Sequence, residues 1–72
     1  MMRQEIRLDT ITDVQRFNQI VSKIDEDVIL EDGNGMRTNA KSMLGILYSL
    51  EFRHIYCCCS RDIAGLIVEW IV

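Results

Sequence analysis

Residues Ile55 to Cys59 read I-Y-C-C-C and are apolar on both faces of an extended strand. Neighbouring strand residues point to opposite sides of a sheet, so a run without a polar side is buried on both. The stretch therefore suits an interior strand, and the rest of a 72-residue chain has to supply the sheet around it. At that length there is room for one domain, residues 1–72, which buries only about 60% of the surface of its unfolded form.

Cys57, Cys58 and Cys59 are the only cysteines in the chain. Their odd number and adjacency give no disulfide framework, and a disulfide between neighbours would strain the peptide joining them. Consecutive strand residues cannot converge on one ion, and His54, the single histidine, has no second ligand cluster beside it. No metal site is expected, and the cysteines read as the apolar filling of the strand.

Periodicity places the remaining elements. Arg3 to Leu8 alternates, with Gln4, Ile6 and Leu8 on one face and Arg3, Glu5 and Arg7 on the other, as in a half-buried strand. Thr12 with Gln15 has the form of a capping box, and Val14, Phe17, Val21 and Ile24 recur at helical spacing up to Asp25. Val28 to Leu30 is a short apolar run ended by E-D-G-N-G, a hairpin signal, and M-R-T-N-A follows as the returning strand. Ser42 stands ahead of Met43, Leu44, Leu47 and Tyr48, a stripe widened by Ile46 and Leu50, so a second helix runs to about Glu51 and is weakened slightly by Gly45. Ser60 and Asp62 precede Ile63, Leu66, Ile67, Trp70 and Ile71, which predict a last helix.

The order βαββαβα implies an α+β fold with helices packed on one face of a four-stranded antiparallel sheet and the other face partly open. Either Tyr56 with Cys58, or Ile55 with Cys57 and Cys59, would lie on the open face near Ile29. An apolar patch there would be a homodimer surface.

Net charge is −3, and the eight basic residues are scattered rather than gathered in a stripe, which speaks against nucleic acid as a partner. The N-terminal residues alternate polar and apolar, and I-A-G-L-I-V-E-W-I-V is too short to span a bilayer. No membrane association is expected, and the cytoplasm is the default location.

Motifs for cofactors are incomplete. G-M-R-T-N-A-K-S has Ala40 where a phosphate-binding loop needs its second glycine, and the chain is too short for the rest of a nucleotide-binding domain. After Asp25 and Asp27, Ile29 and Leu30 stand where a calcium loop needs a ligand and a glycine. His54 could act as acid, base or phosphoryl acceptor, but no local spacing brings a carboxylate to it. Ser42, at the start of a helix, is either a plain N-cap or a hydroxyl placed where a phosphate would be favoured.

The element order and the residues N-G-M-R-T-N-A-K-S-M-L-G-I-L-Y-S-L resemble HPr, the histidine-containing phosphocarrier family of the bacterial sugar phosphotransferase system. In that family an Asn-Gly hairpin, five residues of strand, then Lys-Ser and an apolar pair open the second helix. Here these are Asn34, Gly35, Met36 to Ala40, Lys41, Ser42, Met43 and Leu44. The resemblance implies an open-faced βαββαβα sandwich, regulatory phosphorylation at Ser42, and a partner-binding face at Lys41, Ser42, Met43 and Leu47. The partners it implies are phosphotransferase-system enzymes or regulators.

The family's phosphorylated histidine lies in a loop after the first strand, and this chain departs there. It has L-D-T-I-T-D-V, several residues shorter, with Thr10 near the histidine position and Thr12 and Asp13 near the arginine and proline. A threonine phosphoester lacks the transfer potential of a phosphoimidazole, and Asp13 would repel an incoming phosphate. The expectation is a regulatory or interaction module without catalytic residues or cofactor. The alternatives are a phosphocarrier component using His54 and a small structural homodimer.

Overall fold

The computed structural model describes residues 1–72. Four strands, β1 (Met2–Ile6), β2 (Val28–Glu31), β3 (Arg37–Asn39) and β4 (Ile55–Cys59), form one antiparallel sheet in the order β1-β4-β2-β3. The I-Y-C-C-C run is an interior strand, paired along its length with β1 and over Cys59 to Tyr56 with β2. Two α-helices, α1 (Ile11–Val21) and α2 (Met43–Ser49), complete an α+β architecture.

Alternation along β4 divides the sheet into two faces. Ile55, Cys57 and Cys59 are buried with Met2, Ile6, Val28 and Leu30 of the neighbouring strands, while Tyr56 and Cys58 lie half-buried on the opposite side. The helices cover the first face. Val14, Phe17 and Val21 of α1 and Ile46 of α2 join the strand residues in a single core.

The hairpin between β2 and β3 is held by its acidic residue. Asp32 accepts hydrogen bonds from Asn34 N at 2.7 Å and Met36 N at 3.0 Å, and Gly33 and Gly35 take positive φ of 85° and 102°. Glycine is the residue that adopts such angles without steric cost. The returning strand is shorter than M-R-T-N-A, because Ala40 to Ser42 already turn into α2.

Two sequence-derived elements are corrected. The cap of α1 is Thr10 rather than Thr12, because Thr10 has the extended φ and ψ of −131° and 162° that an N-cap requires and Thr12 is already inside the helix. The box partner is accordingly Asp13, not Gln15. Past β4 there is no α-helix but two short 3-10 segments, Ala64–Leu66 and Val68–Trp70.

The C-terminal change has a physical cause. Ile63, Ile67, Val68 and Ile71 are β-branched and Gly65 is free to bend, so the helical preference is weak. Against it stands the outer edge of β1, whose backbone groups need partners. Arg7 N donates to Trp70 O at 2.8 Å, Val72 N donates to Glu5 O at 3.1 Å, and Ile71 bridges to Ile6. Ile63, Ile67 and Trp70 still reach the core, whereas Leu66 is left 51% exposed. Ser60 makes no cap bond, and Asp62 instead accepts from Ala64 N at 2.9 Å.

Candidate functional site

Thr10, which the resemblance to HPr sets near the phosphohistidine position, caps the N-terminus of α1. Its hydroxyl accepts from Asp13 N at 3.0 Å, and the Asp13 carboxylate accepts from Thr10 N at 3.2 Å and Asp9 N at 3.1 Å. The other Asp13 oxygen accepts from the Trp70 indole at 3.3 Å. That indole bond, helped by the backbone donors, holds the Asp13 carboxyl below the ordinary aspartate range. The Asp13 carboxylate thus sets a fixed negative charge at the start of α1, which an incoming anion would meet with repulsion.

The start of α2 is arranged differently. Ser42 is its N-cap, accepting from Gly45 N at 3.2 Å, and is half-buried. Lys41 bends away, its ammonium donating to the carbonyl of Ile24 after α1. Of the expected partner-binding set, Lys41 is therefore engaged within the molecule, while Met43 and Leu47 are exposed.

The apolar stripe of α2 faces outward. Met43, Leu44, Leu47 and Tyr48 are 37%, 78%, 39% and 48% exposed, while Ile46 and Ser49 are fully buried. Gly45 lies on the inner side, where an added Cβ would come within 2.4 Å of the Asn39 carbonyl oxygen, so the helix rests directly on the backbone at the end of β3. Ser49 satisfies its buried hydroxyl by donating to Ile46 O at 2.6 Å. Only small residues and one isoleucine fit beneath this helix, which turns its larger apolar side chains to the surface.

Leu44 and Tyr48 belong to this face although the resemblance did not single them out. The signal was present in the sequence: α2 carries no charged residue, and its two small residues, Gly45 and Ser49, fall on one side at i and i+4. Small residues mark the side that packs closely, which leaves the other side to the leucines and the tyrosine.

The open face of the sheet lacks the apolar patch expected there. Tyr56 and Cys58 do lie on it beside Ile29, but ionic side chains cover them. Arg3 pairs with Glu31 at 2.8 Å and lies 3.9 Å above the Tyr56 ring, and Arg37 approaches Glu31 at 3.7 Å. The Arg3 bond holds the Glu31 carboxyl below its ordinary range.

Burial pushes the Cys57 thiol up to about 12, and it raises Cys58 as well. Both stay protonated near neutrality and are poor nucleophiles and ligands. Cys57 and Cys59 face the core and Cys58 the open side, so the three sulfurs do not converge.

A second constellation, not visible in local spacing, forms where β1 ends and β4 begins. His54 Nδ1 lies 3.0 Å from Glu5 Oε2, a contact across 49 residues of sequence created by the antiparallel register of β1 and β4. The pair sits on a groove of about 350 Å³ lined also by Arg7, Leu8, Phe52 and Arg53. Phe52 in turn packs edge-to-face on Tyr48 at 5.8 Å, joining the groove to the end of α2.

No helix of the chain is long and apolar enough to cross a membrane. No family model, no curated protein and no solved structure matches the chain.

Proposed function

We propose that this chain is an HPr-like interaction module, an open-faced sandwich without the phosphocarrier histidine, which docks on protein partners through the outer face of α2. The observation that carries the reading is the outward stripe of Met43, Leu44, Leu47 and Tyr48 on a helix with no charged residue. Burying such a stripe against a partner removes apolar surface from water at little electrostatic cost. The partners suggested by the resemblance are enzymes or regulators of the phosphotransferase system, in the cytoplasm.

Ser42 is the proposed control point of that face. A phosphate there adds a charge of about −1.5 to −2 at the rim of an uncharged surface, beside Met43, which is itself one turn from Leu47. The Thr10–Asp13 box argues against carrier chemistry at the first helix, since its carboxylate would repel a transferable phosphate there.

One observation favours a second reading. The Glu5–His54 contact gives the only histidine an orienting carboxylate, as a phosphocarrier component would need. Intact-mass measurement separates the two. The chain is incubated with phosphoenolpyruvate and the first enzyme of the phosphotransferase system, and separately with ATP and the HPr serine kinase. One added phosphate in the ATP reaction alone, mapped to Ser42, supports the interaction module. An acid-labile phosphate on His54 in the phosphoenolpyruvate reaction replaces it with the carrier, and no phosphate in either removes both the Ser42 switch and the carrier.

A further inference from the structure

The groove beside His54 adjoins the end of α2 through Phe52, but its charged residues are not part of the docking stripe. Its lining combines the buried Ile6 and Leu8 and the half-buried Phe52 with the polar side chains of Glu5, Arg7, Arg53 and His54. These charges are not equivalent. Glu5 is engaged by His54 at 3.0 Å, and Arg7 stands 3.5 Å from Asp9 with most of its side chain in solvent.

Arg53 is the exception among the arginines. Arg3, Arg7, Arg16, Arg37 and Arg61 each face a carboxylate, while Arg53 has no ion pair. In a chain of net charge −3, where carboxylates outnumber basic side chains, this exposed guanidinium is left free to meet an outside anion. It lines a half-apolar groove whose one acidic side chain, Glu5, is turned toward a histidine.

We infer that this groove binds a small amphipathic carboxylate, with the apolar body over Leu8 and Phe52 and the carboxylate on Arg53. A guanidinium presents paired donors that match a carboxylate, and apolar floors with a few placed polar groups are the usual form of small-molecule sites. The volume of about 350 Å³ limits the ligand to a short acyl chain or a single ring. A bare inorganic anion would leave the apolar lining unused.

The test is amide-resolved NMR titration of the full chain with hexanoate, hexanamide and inorganic phosphate. The expected result is saturable shifts confined to Arg7, Leu8 and Phe52 to Ile55 with hexanoate. Hexanamide and phosphate should bind at least about tenfold more weakly, since each lacks one half of the recognition. Arg53→Gln weakens hexanoate by about tenfold, whereas Leu44→Gln on the docking face leaves it unchanged. Both positions are exposed, and dispersed spectra of the variants check that they fold. Equal binding of hexanamide or of phosphate, no localised shift, or an unchanged affinity in Arg53→Gln each overturns the inference. A lost Ser42 phosphorylation would remove the switch proposed for the docking face without touching this inference.

Discussion

α1 and α2 cover the same side of one sheet, yet they are fastened to it by opposite means. α1 sinks Val14, Phe17 and Val21 into the core, ties its first turn with a reciprocal Thr10–Asp13 box, and anchors that box to Trp70. α2 has one cap bond and two fully buried residues, and it approaches the sheet only because Gly45 has no side chain. One helix spends its apolar residues on folding; the other keeps them at the surface. Phe17 also meets Trp70 edge-to-face at 5.5 Å, so α1 and the C-terminal segment support each other. The contrast locates stability in α1 and leaves α2 to carry the proposed docking face.

Truncation should separate the two helices most strongly. Phe17→Ala removes a fully buried ring and its contact with Trp70, and is expected to cost about 3–5 kcal/mol. For a domain of this length that is a large share of total stability, estimated at about 4–11 kcal/mol. Leu44→Ala, at 78% exposure, should change stability by less than about 0.5 kcal/mol. Urea midpoints of the two variants measure the difference. Comparable losses would mean that α2 holds the fold as α1 does, and its outer face would lose its claim to be reserved for a partner.

Gly45→Ala comes next. In an ordinary helix this change is favourable by about 1 kcal/mol, but here the new methyl meets the Asn39 carbonyl, a backbone atom that cannot swing aside. A net loss of about 1–3 kcal/mol is expected, read from the same denaturant curves. A gain in stability would show that α2 can lift from β3 without cost and that the close seat of the helix is not what turns its leucines outward.

These residues also show what the sequence made legible. Local patterns carried far: the doubly apolar Ile55–Cys59 run is an interior strand, Val14, Phe17 and Val21 form the inner stripe of α1, and Ser42 caps α2. Patterns failed where a distant segment competes with a local preference. The C-terminal residues have helical spacing, but the edge of β1 offers hydrogen bonds that a helix there would forgo. Asp13 was read as a charge hostile to phosphate, while its structural role depends on Trp70, far along the chain. The direction of the α2 stripe was hidden because periodicity marks an apolar side without saying whether a sheet or the solvent lies against it. His54, Glu5 and Arg53 share a groove only through strand register, which no local spacing records.

The smallest effect concerns how each helix begins. Thr10→Ala deletes the hydroxyl that accepts from Asp13 N and should cost about 1 kcal/mol. Its partner adds a dependence on pH that α2 cannot share, since Ser42 does not titrate. Because the folded protein holds the Asp13 carboxyl below its ordinary range, the unfolded chain takes up the proton first as pH falls. The stabilisation from Asp13 is therefore complete above the ordinary aspartate range and declines as pH drops through the lower folded-state value. Urea midpoints of the wild type and of Asp13→Asn should differ at pH 7 and draw together as pH falls below the ordinary aspartate range, with Glu26 and Glu31, whose carboxyls are also lowered, contributing equally to both proteins. Curves that stay parallel to the lowest pH would mean that the α1 donors are held as well by a neutral side chain as by a carboxylate. The first turn of α1 would then have no charge-dependent lock.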